Sequence, residues 1–218
     1  MVRLPQRPVL SWKKIAEIAR KFSREHSLAD REYPLDVEEI AECDLGIEIR
    51  LASGVLEEFG SPAQIALGDE RPVITVDADQ YRQGTSFYRY SVAHEIGHYV
   101  LHRDWLAKVW QLVTSIKSWK QVVLSRSEED YKWLEAQAEE FASYLLAPED
   151  VFEPFLAEQL EKLSGRAAQL DPEDVLPYLA NPVGEHFGMG NSAAQARIRK
   201  SDQWRRFSDA NKRPQPGE

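Results

Sequence analysis

Cysteine is almost missing from this chain: Cys43 is the single one among 218 residues. A lone thiol excludes an intrachain disulfide, so the fold must be held by its core, and the usage fits a reducing cytoplasm. Cys43 itself reads as a small buried hydrophobe on a helix. Long apolar runs are missing as well. None approaches the roughly 20 residues that cross a bilayer, and MVRLPQRPVLSW lacks the sustained apolar stretch of a secretory signal. No internal repeat is visible. Acidic residues outnumber basic ones, 36 against 27, for a net charge of −9. Seven basic residues against two acidic ones make 192–214 a +5 segment, which leaves −14 for the remainder. So acidic a body argues against a general nucleic-acid binder, and direct DNA binding is not expected. What remains is an ordinary globular composition, 43% hydrophobic and 29% charged, with length enough for one sizeable core.

Periodicity orders the chain. Ser11 can cap a helix whose apolar stripe is Ile15, Ile18, Ala19 and Phe22. Asp36 and Glu39 form a capping-box-like pair, and Gly46 is a plausible stop. Residues 47–51 alternate as a strand does, and 64–67 and 73–76 follow as two more, with 68–71 as a hairpin turn. A helix over 86–102 comes next, then a tryptophan-bearing helical insert over 103–126. A second long helix spans about 127–146 and stops before Pro148. Further helices are expected over 151–163, after Asp171-Pro172, and over 192–200.

The helix over 86–102 contains His94-Glu95-Ile96-Gly97-His98. Residues four apart on a helix share a face, so the two imidazoles can hold one divalent metal. Glu95 is rotated from them by about 100°, within reach of a water on that metal. Two ligands and a general base form the core of a metallopeptidase site. Two solvated histidines on a surface helix are the bland alternative. Phe87, Tyr88, Val92, Ala93, Ile96, Tyr99 and Val100 argue against it, because polar groups in apolar surroundings need partners.

A catalytic zinc site needs a third protein ligand and an open position. A metzincin would place a histidine at 104, where Asp104 stands. His102 continues the same helical face one turn too far, and reads as a helix-end group or a support behind the ligands. Glu135 and Glu139, four apart on the later helix, offer a carboxylate ligand and a partner for an imidazole. From spacing alone a solvated acidic face stays open, since Glu129, Asp130 and Glu140 are close by.

Two segments together resemble the ImmA/IrrE-type zinc metallopeptidases, a gluzincin-like group. Arg89-Tyr90-Ser91-Val92-Ala93 stands before the HEIGH motif as in that family. Glu135, Ala138, Phe141, Ala142, Leu145, Leu146 and Pro148 agree with its second motif, E-x-x-A-N-x-F-A-x-x-L-L-x-P. Glu139 departs from it, replacing Asn or Asp. The resemblance covers roughly 12–200. It implies Glu135 as third ligand to one zinc per chain, Glu139 as the residue behind an imidazole, and a helix-turn-helix transcriptional repressor as the protein cut or controlled.

The expectation is therefore an α+β, zincin-like metallopeptidase domain over 1–200, with a small twisted sheet, the HEXXH helix and a helical part over 150–200. A basic, flexible tail follows over 201–218. The protein would be a cytoplasmic zinc endopeptidase, with metal on His94, His98 and Glu135, Glu95 as general base, and a substrate strand held near 64–76. Tyr99, Tyr131, Tyr144 and His186 are candidate oxyanion donors. Two rivals stand beside it. One is a DNA-binding regulator with a structural zinc, suggested by a helix-turn-helix cadence over 178–198 and the basic tail. The other is a protein-binding module of the toxin or antitoxin kind.

Overall fold

The computed structural model describes residues 5–68, 70–112, 128–167 and 171–211. Helix α1 (Trp12–Glu25) opens the fold, with the N–H of Lys14 donating to Ser11 Oγ at 3.2 Å. Ile15, Ala19 and Phe22 are buried along its apolar stripe. The turn α2 (Val37–Glu39) is capped by Asp36, whose Oδ1 accepts from the N–H groups of Glu38 and Glu39 at 3.0 and 3.1 Å. It continues as a π-helical turn, Ile40–Asp44, after which Gly46 reverses the chain at φ +66°. Cys43 is exposed on that turn, which corrects the buried position expected for it. Ile40 and Ala41 fill the buried side instead.

Three strands form one sheet, β1 (Glu48–Ala52), β2 (Ala63–Ala66) and β3 (Val73–Asp77), in the order β1-β3-β2. β2 and β3 make the expected hairpin, antiparallel, with Ile65 opposite Ile74. β1 runs parallel to β3, a pairing that requires a crossover. The short helix α3 (Val55–Phe59) and β2 lie within that crossover, so β3 becomes the central strand and β2 an edge. Helix α4 (Ala78–Gln83) follows directly, with the buried Asp77 carboxylate accepting from Asp79 N–H at 3.0 Å and Leu56 N–H at 3.2 Å.

Helix α5 (Ser86–Trp110) carries the histidine motif and is capped by Thr85. It runs past the expected end at His102, so the first part of the 103–126 stretch is helix. There Trp105 and Val109 pack on Leu134 of α6 (Glu128–Leu146), and Trp105 Nε1 donates to the Pro5 carbonyl at 3.0 Å. Residues 113–126 of that stretch, with Trp119, lie outside the described residues.

Contacts gather into two compact units, 1–19 with 36–142, and 20–35 with 143–218. The first holds the sheet and α5. The second is helical: α7 (Glu149–Ala167), α8 (Pro172–Phe187), α9 (Asn191–Arg199) and α10 (Asp202–Asn211). Pro172 starts α8, and Asp171 caps it by accepting from Glu173 N–H at 2.9 Å. Much of the expected flexible tail is therefore ordered as α10, anchored by buried Trp204. Residues 212–218 lie outside the description. The class is α+β, a zincin-like domain with additional C-terminal helices. Among the described residues no helix is long and apolar enough to cross a membrane.

Candidate metal centre

Close approach of two helices builds the site. A Cβ placed on Gly97 would stand 2.8 Å from the Ala138 carbonyl oxygen and 3.2 Å from Ala138 Cα. Only glycine at that position of α5 lets the α6 backbone come so near. The contact brings Glu135, one turn before Ala138, opposite the two histidines one turn apart on α5.

His94 Nε2 is 3.0 Å from His98 Nε2 and 3.1 Å from Glu135 Oε2, and His98 Nε2 is 3.4 Å from Glu135 Oε1. Ligands about 2.0–2.1 Å from a tetrahedral zinc stand about 3.3 Å apart. These three atoms have that spacing, so the set fits a divalent metal and can hold one. The three side chains remain 13–29% exposed, which leaves a side open to solvent.

Glu95 is 5% exposed, and its Oε2 accepts from the N–H of Ile65 at 2.9 Å. That N–H belongs to edge strand β2. Burial, opposed by the charge of His98 and His94, raises the Glu95 carboxyl above the usual range. Burial would raise Glu135 as well, but its hydrogen bonds to His94 and His98 hold it below that range. His94 is pulled down by burial and up by Glu135 and Glu95, and the net direction is up. Such opposed pairs, a cationic and an anionic partner, are what a metal would replace.

Behind the site lies a buried chain of polar atoms. His98 Nδ1 is 3.1 Å from His102 Nδ1, and His102 Nε2 is 3.0 Å from Gln137 Oε1. His102 and Gln137 are 1% and 0% exposed. Burial, with the charge of His98, pushes His102 down to about 3, so it is neutral at ordinary pH. His102 sits inside α5 rather than at its end, directly behind His98.

The domain around this centre has a family. The IrrE N-terminal-like domain of the M78 peptidases matches residues 67–199. This chain belongs to the M78 peptidase family. The match spans β3, α5 and α6, and so contains every member of the metal group. Comparison with curated proteins gives no match. Membership in the M78 peptidases makes the class hydrolase and a protein the natural substrate.

The remaining expected residues are distributed as follows. Glu139 is exposed, and among the described residues no hydrogen bond joins its carboxylate to an imidazole; it acts on His94 through charge. Tyr90 Oη donates to the Glu139 backbone carbonyl at 3.4 Å. Tyr99 is buried with the Arg103 guanidinium over its ring, and Tyr131 is exposed on the first turn of α6. Tyr144 and His186 belong to the other compact unit, where Arg197 lies over Tyr144 and His186 stacks on Phe155. Sequence reasoning missed Gln137. Its signal was available: it lies three after Leu134 and four before Phe141, a polar residue on the apolar stripe of α6.

Proposed function

We propose that this M78 family member is a zinc-dependent endopeptidase, with metal on His94, His98 and Glu135 and Glu95 as general base. One observation carries the reading: three ligand atoms stand at tetrahedral spacing beside a buried carboxylate that touches an edge strand. When bound, the metal supplies Lewis-acid polarisation of a peptide carbonyl and makes water more acidic. The protein's own groups do the rest. An extended peptide would pair by backbone hydrogen bonds with the outer edge of β2, displacing the Glu95 carboxylate from the Ile65 N–H. Glu95 lies against that edge, so a peptide bond held there comes within its reach. Its raised proton affinity suits it to take a proton from the attacking water and return it to the leaving amine. A cytoplasmic location and one zinc per chain belong to the same proposal.

The substrate we infer from the family resemblance is a helix-turn-helix repressor, cut in an extended or unfolding segment, because an edge strand pairs with strands and not with helices. DNA binding by the chain itself has less support. Of the basic residues near the C-terminus, Arg197 is buried, Arg199 pairs with Glu173 at 2.8 Å, and Arg205 pairs with Asp202. Three of the seven basic residues of 192–214 are thus engaged within the protein, and the remainder of the chain is acidic, which disfavours phosphate contacts.

The deciding experiment incubates zinc-loaded protein with the product of the neighbouring gene and with candidate helix-turn-helix repressors, and maps the fragments by mass spectrometry. A single cut, lost on chelation and in Glu95→Gln, is the expected result. Intact repressor at full zinc occupancy, with specific operator binding by the chain, would replace the peptidase by the regulator.

A further inference from the structure

The two contacts behind His98 allow only one consistent placement of protons if His98 is to be a ligand. Its Nε2 is the atom that faces His94 and Glu135. A metal ligand needs a lone pair there, so the ring hydrogen must sit on Nδ1. That hydrogen points to His102 Nδ1 at 3.1 Å, which must then accept. His102 therefore carries its own hydrogen on Nε2, and the atom 3.0 Å beyond is Gln137 Oε1, an acceptor. Turned over, the amide would donate to His102 Nε2. His102 would donate to His98 Nδ1, and the hydrogen of His98 would move to the very atom that must bind metal.

We propose that Gln137, acting through His102, is a positioning residue that holds His98 in its metal-binding tautomer. The inference rests on the metal-site reading given above. The burial of the pair supports it. Gln137 Nε2 is buried without a hydrogen-bond partner, although an apolar side chain would fill a fully buried position on α6 without that cost. The acceptor oxygen is what the fold gains from an amide here. A neutral acceptor also directs the hydrogen without introducing a charge into the core, as a carboxylate would. No hydrogen bond from Glu139 performs this task, so among the described residues the support of His98 comes from its own helix and from two residues beyond the ligand Glu135. Neither the HEXXH pattern nor the second motif marks it.

The test uses the full chain and zinc ion alone. Zinc affinity is measured by competition with a chromophoric chelator, thermal stability is measured on metal-free protein, and the ring hydrogen of His98 is located by long-range proton–nitrogen NMR. Gln137→Leu should weaken zinc by roughly 10- to 100-fold. Its metal-free form should melt lower than the parent, since the buried His102 Nε2–H loses its acceptor, so affinity is read at a temperature where the variant is fully folded. His98 should lose its uniform Nδ1–H signature. Gln137→Glu keeps the acceptor and should keep that signature. His102→Phe, which keeps a ring but removes both its nitrogens, should reproduce the loss of affinity and guards against a leucine variant that fails to fold. Zinc bound as tightly by Gln137→Leu and His102→Phe as by the parent, with His98 unchanged, would overturn the positioning role and leave the metal site standing. A parent that binds no zinc would overturn both.

Discussion

Each compact unit buries a cation-forming side chain among aromatic and polar neighbours, and the two differ in what they leave open. In the second unit Arg197 is 1% exposed, lies 4.1 Å from the Phe152 ring centre and 4.5 Å from that of Tyr144, and donates from Nε to the Ala147 carbonyl at 3.1 Å. Rings and a carbonyl enclose it, so it ties helices together and presents nothing to a ligand. In the first unit His94 and His98 are only partly covered, and their ring nitrogens converge with a carboxylate at 3.0–3.4 Å. Burial of a polar group is common to both. Among the described residues, convergence of ligand-type atoms towards one open point belongs to the first alone, and that marks a candidate site.

Substitutions can break the contrast. The largest effect should come from Glu95→Gln, with cleavage reduced by about 10²- to 10⁴-fold and zinc content unchanged, since the base is not a ligand. Fragment yield and metal analysis on one preparation check both halves, and cleavage at the parent rate would remove Glu95 from the chemistry. Next, His94→Ala, His98→Ala or Glu135→Ala should each lose the metal, whereas Arg197→Leu should retain it and lower stability by about 1–3 kcal/mol. Full zinc in the histidine variants would move the site off α5.

Gly97→Ala tests the helix approach that assembles the centre. Its new methyl meets the Ala138 carbonyl at 2.8 Å, so stability should fall by about 1–3 kcal/mol and zinc should weaken as Glu135 is pushed away. An alanine variant with parental melting and affinity would contradict the close crossing.

Acid should sharpen the same contrast in metal-free protein. An unfolded chain protonates His102 near 6.5, but the fold holds it down to about 3. Between those values the unfolded state binds the extra proton, so stability drops as pH falls from about 6.5 towards 3. Melting curves across that range should be steeper in pH for the parent than for His102→Phe. The smallest effect is expected of Glu139→Ala, less than the tenfold typical of a residue that orients a ligand, because its carboxylate makes no bond to an imidazole.

How much of this was legible before folding depends on distance along the chain. His94, Glu95 and His98 lie within about one helical turn, so the shared face of the two histidines and the roughly 100° offset of Glu95 follow from the helix period. The β2–β3 hairpin, the Asp36 and Asp171 caps and the helix ending before Pro148 are local in the same sense. Glu135 needed a second motif 41 residues after His94, since spacing alone could not separate a ligand from a solvated acid. The short helices α3 and α4 escaped because one or two turns show little periodicity. Trp204 anchored what composition alone made look like a flexible tail.

Sequence by itself determined which residues share a helix face, where helices start, and the metal chemistry that two histidines and a glutamate permit. Only the tertiary structure decided which faces meet. The Gly97–Ala138 approach turns Glu135 towards the histidines, the parallel pairing of β1 with β3 leaves β2 as the edge, and that edge brings the Ile65 N–H to Glu95. It also decided that Gln137, and not Glu139, is joined to His98 through His102. Both lie on α6 within one turn of Glu135, and a two-residue step along a helix turns the side chain about 200°, so the choice depends on the partner helix and not on the sequence spacing.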